Sequence, residues 1–133
     1  HSDKGTSIEH HAKVGLAFFW PPLERQVIIK GEAVKLSSQA SDSYFKSRPK
    51  GSQIGAIVSD QSKVISDRSI MEAKLEALEI EYAEKEVPRP EHWGGYVVKP
   101  QCIEFWQGRP NRLHDRMRCQ LQGNFWNIER LAP

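Results

Sequence analysis

The chain has 133 residues, of which 38% are hydrophobic and 27% charged, with a formal net charge of +2 at pH 7. This length and composition predict one soluble globular domain and exclude a disordered chain, because the apolar residues suffice to form a core. The small net charge and the absence of an apolar run near the roughly 20 residues that span a bilayer lead us to expect neither a nucleic-acid nor a membrane partner.

The two cysteines, Cys102 and Cys119, are too far apart for a C-x-x-C motif, so neither a disulfide framework nor a zinc knuckle is predicted. The histidines also lack metal-ligand spacing, and we predict no metal site. The polar residues at the start of the chain do not resemble a signal peptide. Together these features lead us to expect a reducing, cytoplasmic compartment.

In chain order, residues 7–12 are typical of the end of a helix, and residues 14–20 predict a buried strand that stops at two prolines. Residues 25–36 predict a second, long strand, in which Gly31 indicates a bulge or bend. Ser37 and Ser38 then open a short helix that runs through Phe45 and closes at Pro49.

Residues 53–59 predict either another strand or a buried helix, because periodicity cannot decide between them over so few positions. Residues 69–86 give the clearest helical pattern, with a predicted capping box between Ser69 and Glu72. Apolar side chains recur along one face of this helix, and we interpret that stripe as structural. Its members are Met71, Leu75, Leu78 and Tyr82.

The remaining apolar segments predict strands at residues 95–98, 101–107, 112–121 and 127–131, the last one following a Gln-Gly-Asn turn. Many strands with few helices between them favour an α+β protein. We expect a mostly antiparallel sheet or barrel with two or three helices.

One segment places three cationic or hydrogen-bonding side chains at alternate positions: Arg112, His114 and Arg116. On an extended strand they share one face, while Leu113 points into the core. Such a row suits a planar, anionic ligand, and it is equally typical of a solvated strand face. Spacing alone leaves both interpretations open.

A second candidate site lies on the short helix, where Tyr44 and Arg48 are four residues apart and Ser52 follows. A phenol, a guanidinium and a hydroxyl can hold a phosphate, because arginine matches phosphate oxygens with a bidentate fork. The alternative is a surface packing pair of tyrosine and arginine. The dinucleotide-binding, P-loop and nucleophile-elbow motifs are absent from the sequence.

Seven motifs, in this order along the chain, resemble the pyridoxamine 5'-phosphate oxidase family, also called pyridoxine 5'-phosphate oxidase. They are Leu23-Glu24-Arg25-Gln26-Val27, Tyr44-Phe45-x-Ser47-Arg48-Pro49, Ser52-Gln53-Ile54-Gly55-Ala56, Trp93-Gly94-Gly95-Tyr96, Glu104-Phe105-Trp106-Gln107-Gly108, Arg112-Leu113-His114-Asp115-Arg116 and Glu129-Arg130-Leu131-Ala132-Pro133. The resemblance runs from about residue 23 to residue 133 and covers most of the chain.

This resemblance implies a single FMN-binding split β-barrel domain over residues 1–133, acting as a homodimer. It implies oxidation of pyridoxine 5'-phosphate or pyridoxamine 5'-phosphate to pyridoxal 5'-phosphate, with oxygen as acceptor and hydrogen peroxide as product. Flavin supplies redox chemistry that no side chain has.

By motif, the resemblance also assigns residues. The implied flavin contacts are Lys4, Gln26, Gln61, Ser62, Trp106 and Arg116. The implied substrate contacts are Tyr44, Arg48 and Ser52 at the phosphate, with Arg112, Leu113 and His114 at the pyridine ring. Of these, Arg112 and His114 are the implied catalytic residues, beside the carbon from which hydride leaves.

The chain departs from the family pattern at its start. The family has a basic strand before this point, so we expect the barrel to be incomplete at its N-terminal end. Asp3 stands where the family has a cation next to the flavin phosphate, and a carboxylate there is repulsive. These departures leave a second hypothesis, a non-catalytic module that binds flavin or pyridoxal phosphate. A third, an anion-binding or nucleic-acid-binding barrel, is disfavoured by the low net charge.

Overall fold

The computed structural model describes residues 2–133, which form five strands and four α-helices. The chain divides into two compact units, one containing the residues up to Ser7 and Lys35–Tyr96, the other Ile8–Val34 and Val97–Pro133. The expectation of a single domain stays a prediction, and each unit is described by itself. No helix within residues 2–133 is long and apolar enough to cross a membrane.

The first unit is mainly helical. It contains α2 (Ser38–Ser47), α3 (Lys50–Val58) and α4 (Ser69–Glu81). Its core consists of apolar side chains contributed by α2, by α3 and by the segment after α4: Phe45, Ile54 and Val87. Burial of these side chains is the main favourable term that holds the helices together.

The start and end of α2 confirm the sequence prediction. The Ser37 hydroxyl accepts a hydrogen bond from the Ala40 N–H at 3.2 Å, which satisfies a donor at the helix N-terminus. The helix stops at Ser47, and Arg48 is extended because the proline at position 49 disfavours helical backbone before it. For residues 53–59 the sequence allowed a strand or a buried helix. The structure shows a helix, because α3 covers Lys50–Val58.

The predicted helix over residues 69–86 exists, but it ends earlier and its capping box is wrong. Ser69 is the first helical residue, and its N–H is satisfied by the Asp67 carboxylate at 2.7 Å. Glu72 pairs with the side chain of Arg68, the N-cap residue, and not with the Ser69 N–H that the predicted capping box assigned to it. The apolar stripe is half-buried as predicted, and part of it packs on the unit's core: Leu75, Leu78 and Tyr82.

The helix count is higher than predicted. The first helix, α1 (Asp3–His10), confirms that residues 7–12 include a helix end. The Ser2 hydroxyl accepts from the Gly5 N–H at 3.1 Å, as a helix cap does. With α3 also helical, the described residues contain four α-helices instead of two or three.

The second unit contains most of a five-stranded sheet, whose strands occur in the spatial order β1-β2-β3-β4-β5. The strands are β1 (Lys13–Trp20), β2 (Arg25–Lys35), β3 (Tyr96–Gln107), β4 (Asp115–Gln122) and β5 (Phe125–Leu131). The pairs β1–β2, β3–β4 and β4–β5 are antiparallel. This confirms the prediction of an α+β protein with a mostly antiparallel sheet.

Strand β1 is present as predicted, but it is not buried. It lies at one edge of the sheet, and its aromatic side chains are exposed, Phe19 by 57% and Trp20 by 45%. Apolar residues make a strand suitable for burial. Whether the strand is buried depends on which other parts of the protein pack over it. The prediction of a buried strand is therefore wrong for this chain alone.

Gly31 does not form a bulge, because the β1–β2 register is continuous through it. A Cβ atom at this position would lie 2.2 Å from the Lys99 carbonyl oxygen, so the glycine permits a close approach to β3. That strand in turn runs unbroken through Lys99 and Pro100, where the sequence predicted two separate strands.

Candidate functional site

In the helical unit, the predicted phosphate-binding residues Tyr44 and Arg48 meet on one side chain, that of Trp93. The Tyr44 ring is stacked on the indole at a centroid distance of 5.9 Å, and the Arg48 Cζ atom lies 5.1 Å from the indole centroid. Tyr44 is in the last turn of α2, and Arg48 is the residue that ends it. Their four-residue spacing therefore brings both groups to one place, as the sequence predicted.

Arg48 carries an unpaired polar atom. Its Nη1 nitrogen is buried and has no hydrogen-bond partner among the described residues. Leaving a buried donor unsatisfied costs about 1–3 kcal/mol, and more for a charged group. A phosphate oxygen is the type of acceptor that would satisfy it. The observation favours a phosphate site over the simple packing pair that the sequence also allowed.

The third predicted phosphate ligand, Ser52, lies in the first turn of α3 and is exposed. Its N–H is bonded to the Pro49 carbonyl at 2.8 Å. The junction between α2 and α3 thus carries both Arg48 and Ser52, separated by a short turn.

Sequence reasoning missed two residues at this junction. Gln53 donates from Nε2 to the carbonyl oxygens of Phe45 and Arg48, at 3.1 and 2.9 Å, and so fixes the end of α2. Trp93 supplies the surface that Tyr44 and Arg48 contact. A signal for Trp93 existed in the Trp-Gly-Gly-Tyr motif, although its contacts with α2 could not be read from the sequence.

The same unit contains three of the predicted flavin contacts: Lys4, Gln61 and Ser62. Ser62 has a positive φ of 69°, and its hydroxyl accepts a hydrogen bond from the Asp3 N–H at 3.3 Å. This contact brings the start of α1, which carries Lys4, beside the Gln61-Ser62 turn. All three side chains are exposed.

In the sheet unit, Trp106 on β3 lies directly opposite Arg116 on β4, so their side chains share one face of the sheet. The imidazole of His114 is 4.8 Å from the Trp106 ring, tilted by 45°. A flat aromatic ring, an imidazole and a guanidinium thus lie close together. This set fits a planar group with anionic oxygens, as the resemblance implies for flavin.

Arg116 is held by two partners. Its Nε donates to the Glu104 carboxylate at 2.8 Å, and its Nη1 donates to the Ala132 carbonyl at 3.0 Å. The hydrogen bond to Glu104 raises the pKa of the Arg116 guanidinium above its ordinary value. The charge of Arg116 is therefore fixed in place on the sheet.

The predicted row on one strand face is wrong for Arg112 and His114, and the predicted burial of Leu113 is wrong as well. Strand β4 begins only at Asp115, and Arg112 belongs to a 3₁₀ turn with a positive φ of 61°. Leu113 is 69% exposed and does not enter a core. The turn reverses the chain locally, so the period-two geometry of a strand does not apply there.

The turn nevertheless orients His114. Its Nδ1 accepts a hydrogen bond from the Arg109 N–H at 3.2 Å, so a neutral imidazole carries its proton on Nε2. The Nε2–H is then the donor that remains for a ligand.

Two ion pairs close this turn. Asp115 accepts from Arg109 at 2.8 Å through one carboxylate oxygen and from Arg130 at 2.7 Å through the other. These hydrogen bonds, with Arg109 the larger contributor, lower the pKa of Asp115 below its ordinary value. Asp115 belongs to the Arg-Leu-His-Asp-Arg motif, whose sequence alone predicts no role for the carboxylate.

Gln26, the remaining predicted flavin contact, is half-buried on β2 opposite Phe19. The candidate residues therefore form two sets. The helical unit holds the phosphate set and Lys4, Gln61 and Ser62, and the sheet unit holds the ring set. Within residues 2–133 no group of three or more metal-ligating side chains is found.

Comparison with known proteins identifies two family models along this chain. Residues 1–82 match the model described as "Pyridoxamine 5'-phosphate oxidase", and residues 93–133 match the "Pyridoxine 5'-phosphate oxidase C-terminal dimerisation region".

Curated relatives carry the same name. The pyridoxine/pyridoxamine 5'-phosphate oxidase of Flavobacterium psychrophilum is 57% identical over 133 residues, which is 99% of this chain and 62% of the relative. The protein of that name from Cyanothece sp. is 54% identical over 132 residues, again 99% of this chain and 62% of the relative. The chain thus spans about three fifths of the length of these relatives.

Two solved structures share the fold. PhzG from Burkholderia lata, in complex with tetrahydrophenazine-1-carboxylic acid, matches with a TM-score of 0.91 and 29% identity, over 99% of this chain and 64% of that one. A pyridoxamine 5'-phosphate oxidase-related, FMN binding protein from Nostoc punctiforme matches with a TM-score of 0.70 and 14% identity, over 99% and 69%. These matches confirm the predicted fold class.

Proposed function

The chain belongs to the pyridoxamine 5'-phosphate oxidase family, and from that premise we propose that it carries out FMN-dependent oxidation of a pyridoxine or pyridoxamine 5'-phosphate. The product is pyridoxal 5'-phosphate, oxygen is the electron acceptor, and hydrogen peroxide is released. Relatives named for this activity, at more than half identity, support the proposal.

The observation that carries the proposal is the buried, unpaired Nη1 of Arg48. A guanidinium held beside Tyr44 and near Ser52 offers several donors to a phosphate monoester, and few other ligands would use all three. Charge-assisted hydrogen bonds from such donors fix the tail of the substrate and thereby orient its ring. In this proposal, Tyr44, Arg48 and Ser52 bind the substrate phosphate.

The sheet unit supplies the groups that face the two rings. Arg112 and Leu113 are exposed and His114 is half-buried at the turn before β4, and we assign all three to the pyridine ring of the substrate. The Nε2–H of His114 donates a hydrogen bond to the substrate, because Nδ1 already accepts one from the chain. The Arg112 guanidinium stabilises negative charge on the substrate's ring oxygen.

For FMN, Trp106 provides a face for the ring, and Gln26 and Arg116 provide polar contacts. Lys4, Gln61 and Ser62 provide a cation and two hydrogen-bonding groups for anionic oxygens. The chemistry that FMN supplies when bound is two-electron oxidation followed by reduction of oxygen. The side chains named here would bind and orient the cofactor and the substrate.

We also propose that the protein acts as a homodimer. The match of residues 93–133 to a dimerisation region supports this. So does the face of the sheet opposite Trp106, which exposes apolar side chains: Phe105 by 48%, Trp126 by 39% and Ile128 by 64%. Exposed apolar patches of this kind are typical of contact surfaces between proteins.

The test is a visible absorption spectrum of the purified chain, followed by a peroxide assay. The proposal predicts a yellow protein that releases peroxide when pyridoxine 5'-phosphate is added in air. Flavin or substrate binding without peroxide would instead support the non-catalytic module. A colourless protein that binds neither compound would refute both.

A further inference from the structure

We propose that Trp93 is a positioning residue, which holds the Tyr44 and Arg48 side chains ready for a phosphate monoester. The inference rests on the proposed function of the α2–α3 junction and deepens it. Trp93 itself needs no contact with the substrate; it acts through the two side chains that do.

The geometry gives the reason. The Arg48 guanidinium lies over the indole at 5.1 Å, and the Tyr44 ring is stacked on it at 5.9 Å. A cation above the flat face of an aromatic ring is attracted to the negative charge density of that face. The guanidinium carries five N–H donors, so a contact of its Cζ atom with the ring still leaves donors for phosphate oxygens. One donor atom, the Nη1 of Arg48, is buried and has no hydrogen-bond partner among the described residues.

The benefit is preorganisation. Arginine has large rotamer freedom, and a ligand that has to immobilise it loses affinity. A side chain already stacked on a fixed ring has lost that freedom before the ligand arrives. The exposed Tyr44, at 62%, gains a defined position in the same way.

Trp93 is itself firmly held. Its ring packs edge-on against the buried Phe45 ring, with a centroid distance of 4.9 Å. Its backbone N–H donates a hydrogen bond to the Pro90 carbonyl at 2.9 Å. Its carbonyl accepts a hydrogen bond from Arg89, whose Nε also binds the Asp42 carboxylate of α2 at 2.6 Å. The Arg89 side chain is only 15% exposed. The platform is thus tied to the same helix that carries Tyr44.

The experiment compares the affinities of pyridoxine 5'-phosphate and pyridoxine by anaerobic titration calorimetry on the chain as purified. The dissociation constant of pyridoxine divided by that of pyridoxine 5'-phosphate reports recognition of the phosphate alone. We expect Trp93→Leu to lower the wild-type ratio about tenfold through weaker binding of the phosphorylated compound. The affinity for pyridoxine should stay within about twofold.

The matched control is Tyr82→Leu, because Tyr82, like Trp93, packs on the core cluster of the helical unit, whereas the ring that contacts Tyr44 and Arg48 is that of Trp93. It should lower thermal stability and leave the ratio unchanged. If Trp93→Leu weakens the binding of both compounds equally, or weakens neither, the ratio keeps its wild-type value and the inference is overturned.

Trp93→Phe keeps the test decisive if the leucine variant does not fold. A smaller ring attracts the guanidinium less, so the ratio should fall about threefold, and it should not fall further in an Arg48→Met background. A Trp93→Phe protein that retains Arg48 and keeps the wild-type ratio overturns the inference, and so does a further fall of the ratio when Trp93→Phe is added to Arg48→Met. If the wild type binds the two compounds equally, the phosphate site of the proposed function is itself wrong.

Discussion

Replacing Arg48 by methionine separates its role in ligand binding from its role in stability. Methionine keeps an apolar stem of similar length but has no guanidinium. The change removes a buried, unpaired Nη1 donor, which relieves about 1–3 kcal/mol. It also removes the cation–π contact with Trp93, which contributes about 0.5–2 kcal/mol.

These two effects nearly offset each other. We therefore expect the free energy of unfolding of the ligand-free Arg48→Met protein to fall by no more than about 1 kcal/mol, or to rise. Binding should respond quite differently. Loss of one charge-assisted hydrogen bond of about 1.5–3 kcal/mol weakens pyridoxine 5'-phosphate binding roughly 10- to 150-fold.

The assay is denaturant unfolding with and without pyridoxine 5'-phosphate. The wild type should gain stability with ligand concentration, and the variant should gain little. Lys46→Met is the matched control, because Lys46 is an exposed cation on the same helix that pairs with Glu86 at 3.6 Å. It should leave the ligand effect intact. An Arg48→Met protein that binds normally, or that loses about 3 kcal/mol or more without ligand, would refute the reasoning.

Three further predictions concern the sheet unit. Glu104→Gln should weaken FMN binding, because Glu104 holds the Arg116 Nε at 2.8 Å; flavin fluorescence titration measures this, and unchanged affinity would remove Glu104 from the site. Asp115→Asn should flatten the pH dependence of unfolding. The folded pKa of Asp115 is below 3.8, so its stabilisation is complete above that value and is lost as the pH falls through the lower, folded pKa. Equal wild-type and variant curves between pH 7 and pH 2 would contradict that ion-pair account. Arg112→Ala should lower kcat/KM for pyridoxine 5'-phosphate with flavin content nearly intact, and unaltered steady-state kinetics would exclude Arg112 from the substrate site.

The elements that sequence predicted well are those with strong local signals. Ser37 and Pro49 fix the two ends of α2, and both act within a few residues of themselves. The stripe of α4 follows from its helical period alone. The proximity of Tyr44 and Arg48 was predictable for the same reason, because their four-residue spacing is a local property of a helix.

The errors arose where distant contacts or unusual backbone decide the structure. Positive φ values at Asn111 and Arg112 turn the chain before β4, and no period-two pattern reveals them. The Ser69 capping box failed because Asp67 satisfies the same N–H first. Similarly, the role of Trp93 depends on contacts with residues more than forty positions away in sequence, at Tyr44 and Arg48.

The central claim is that the α2–α3 junction binds the phosphate of the substrate. The most direct measurement is a crystal structure of the chain grown without oxygen in the presence of pyridoxine 5'-phosphate. The account predicts a phosphate oxygen within hydrogen-bond distance of the Arg48 Nη1 and of the Tyr44 hydroxyl. A phosphate bound elsewhere, with Arg48 Nη1 still unpaired, would contradict it.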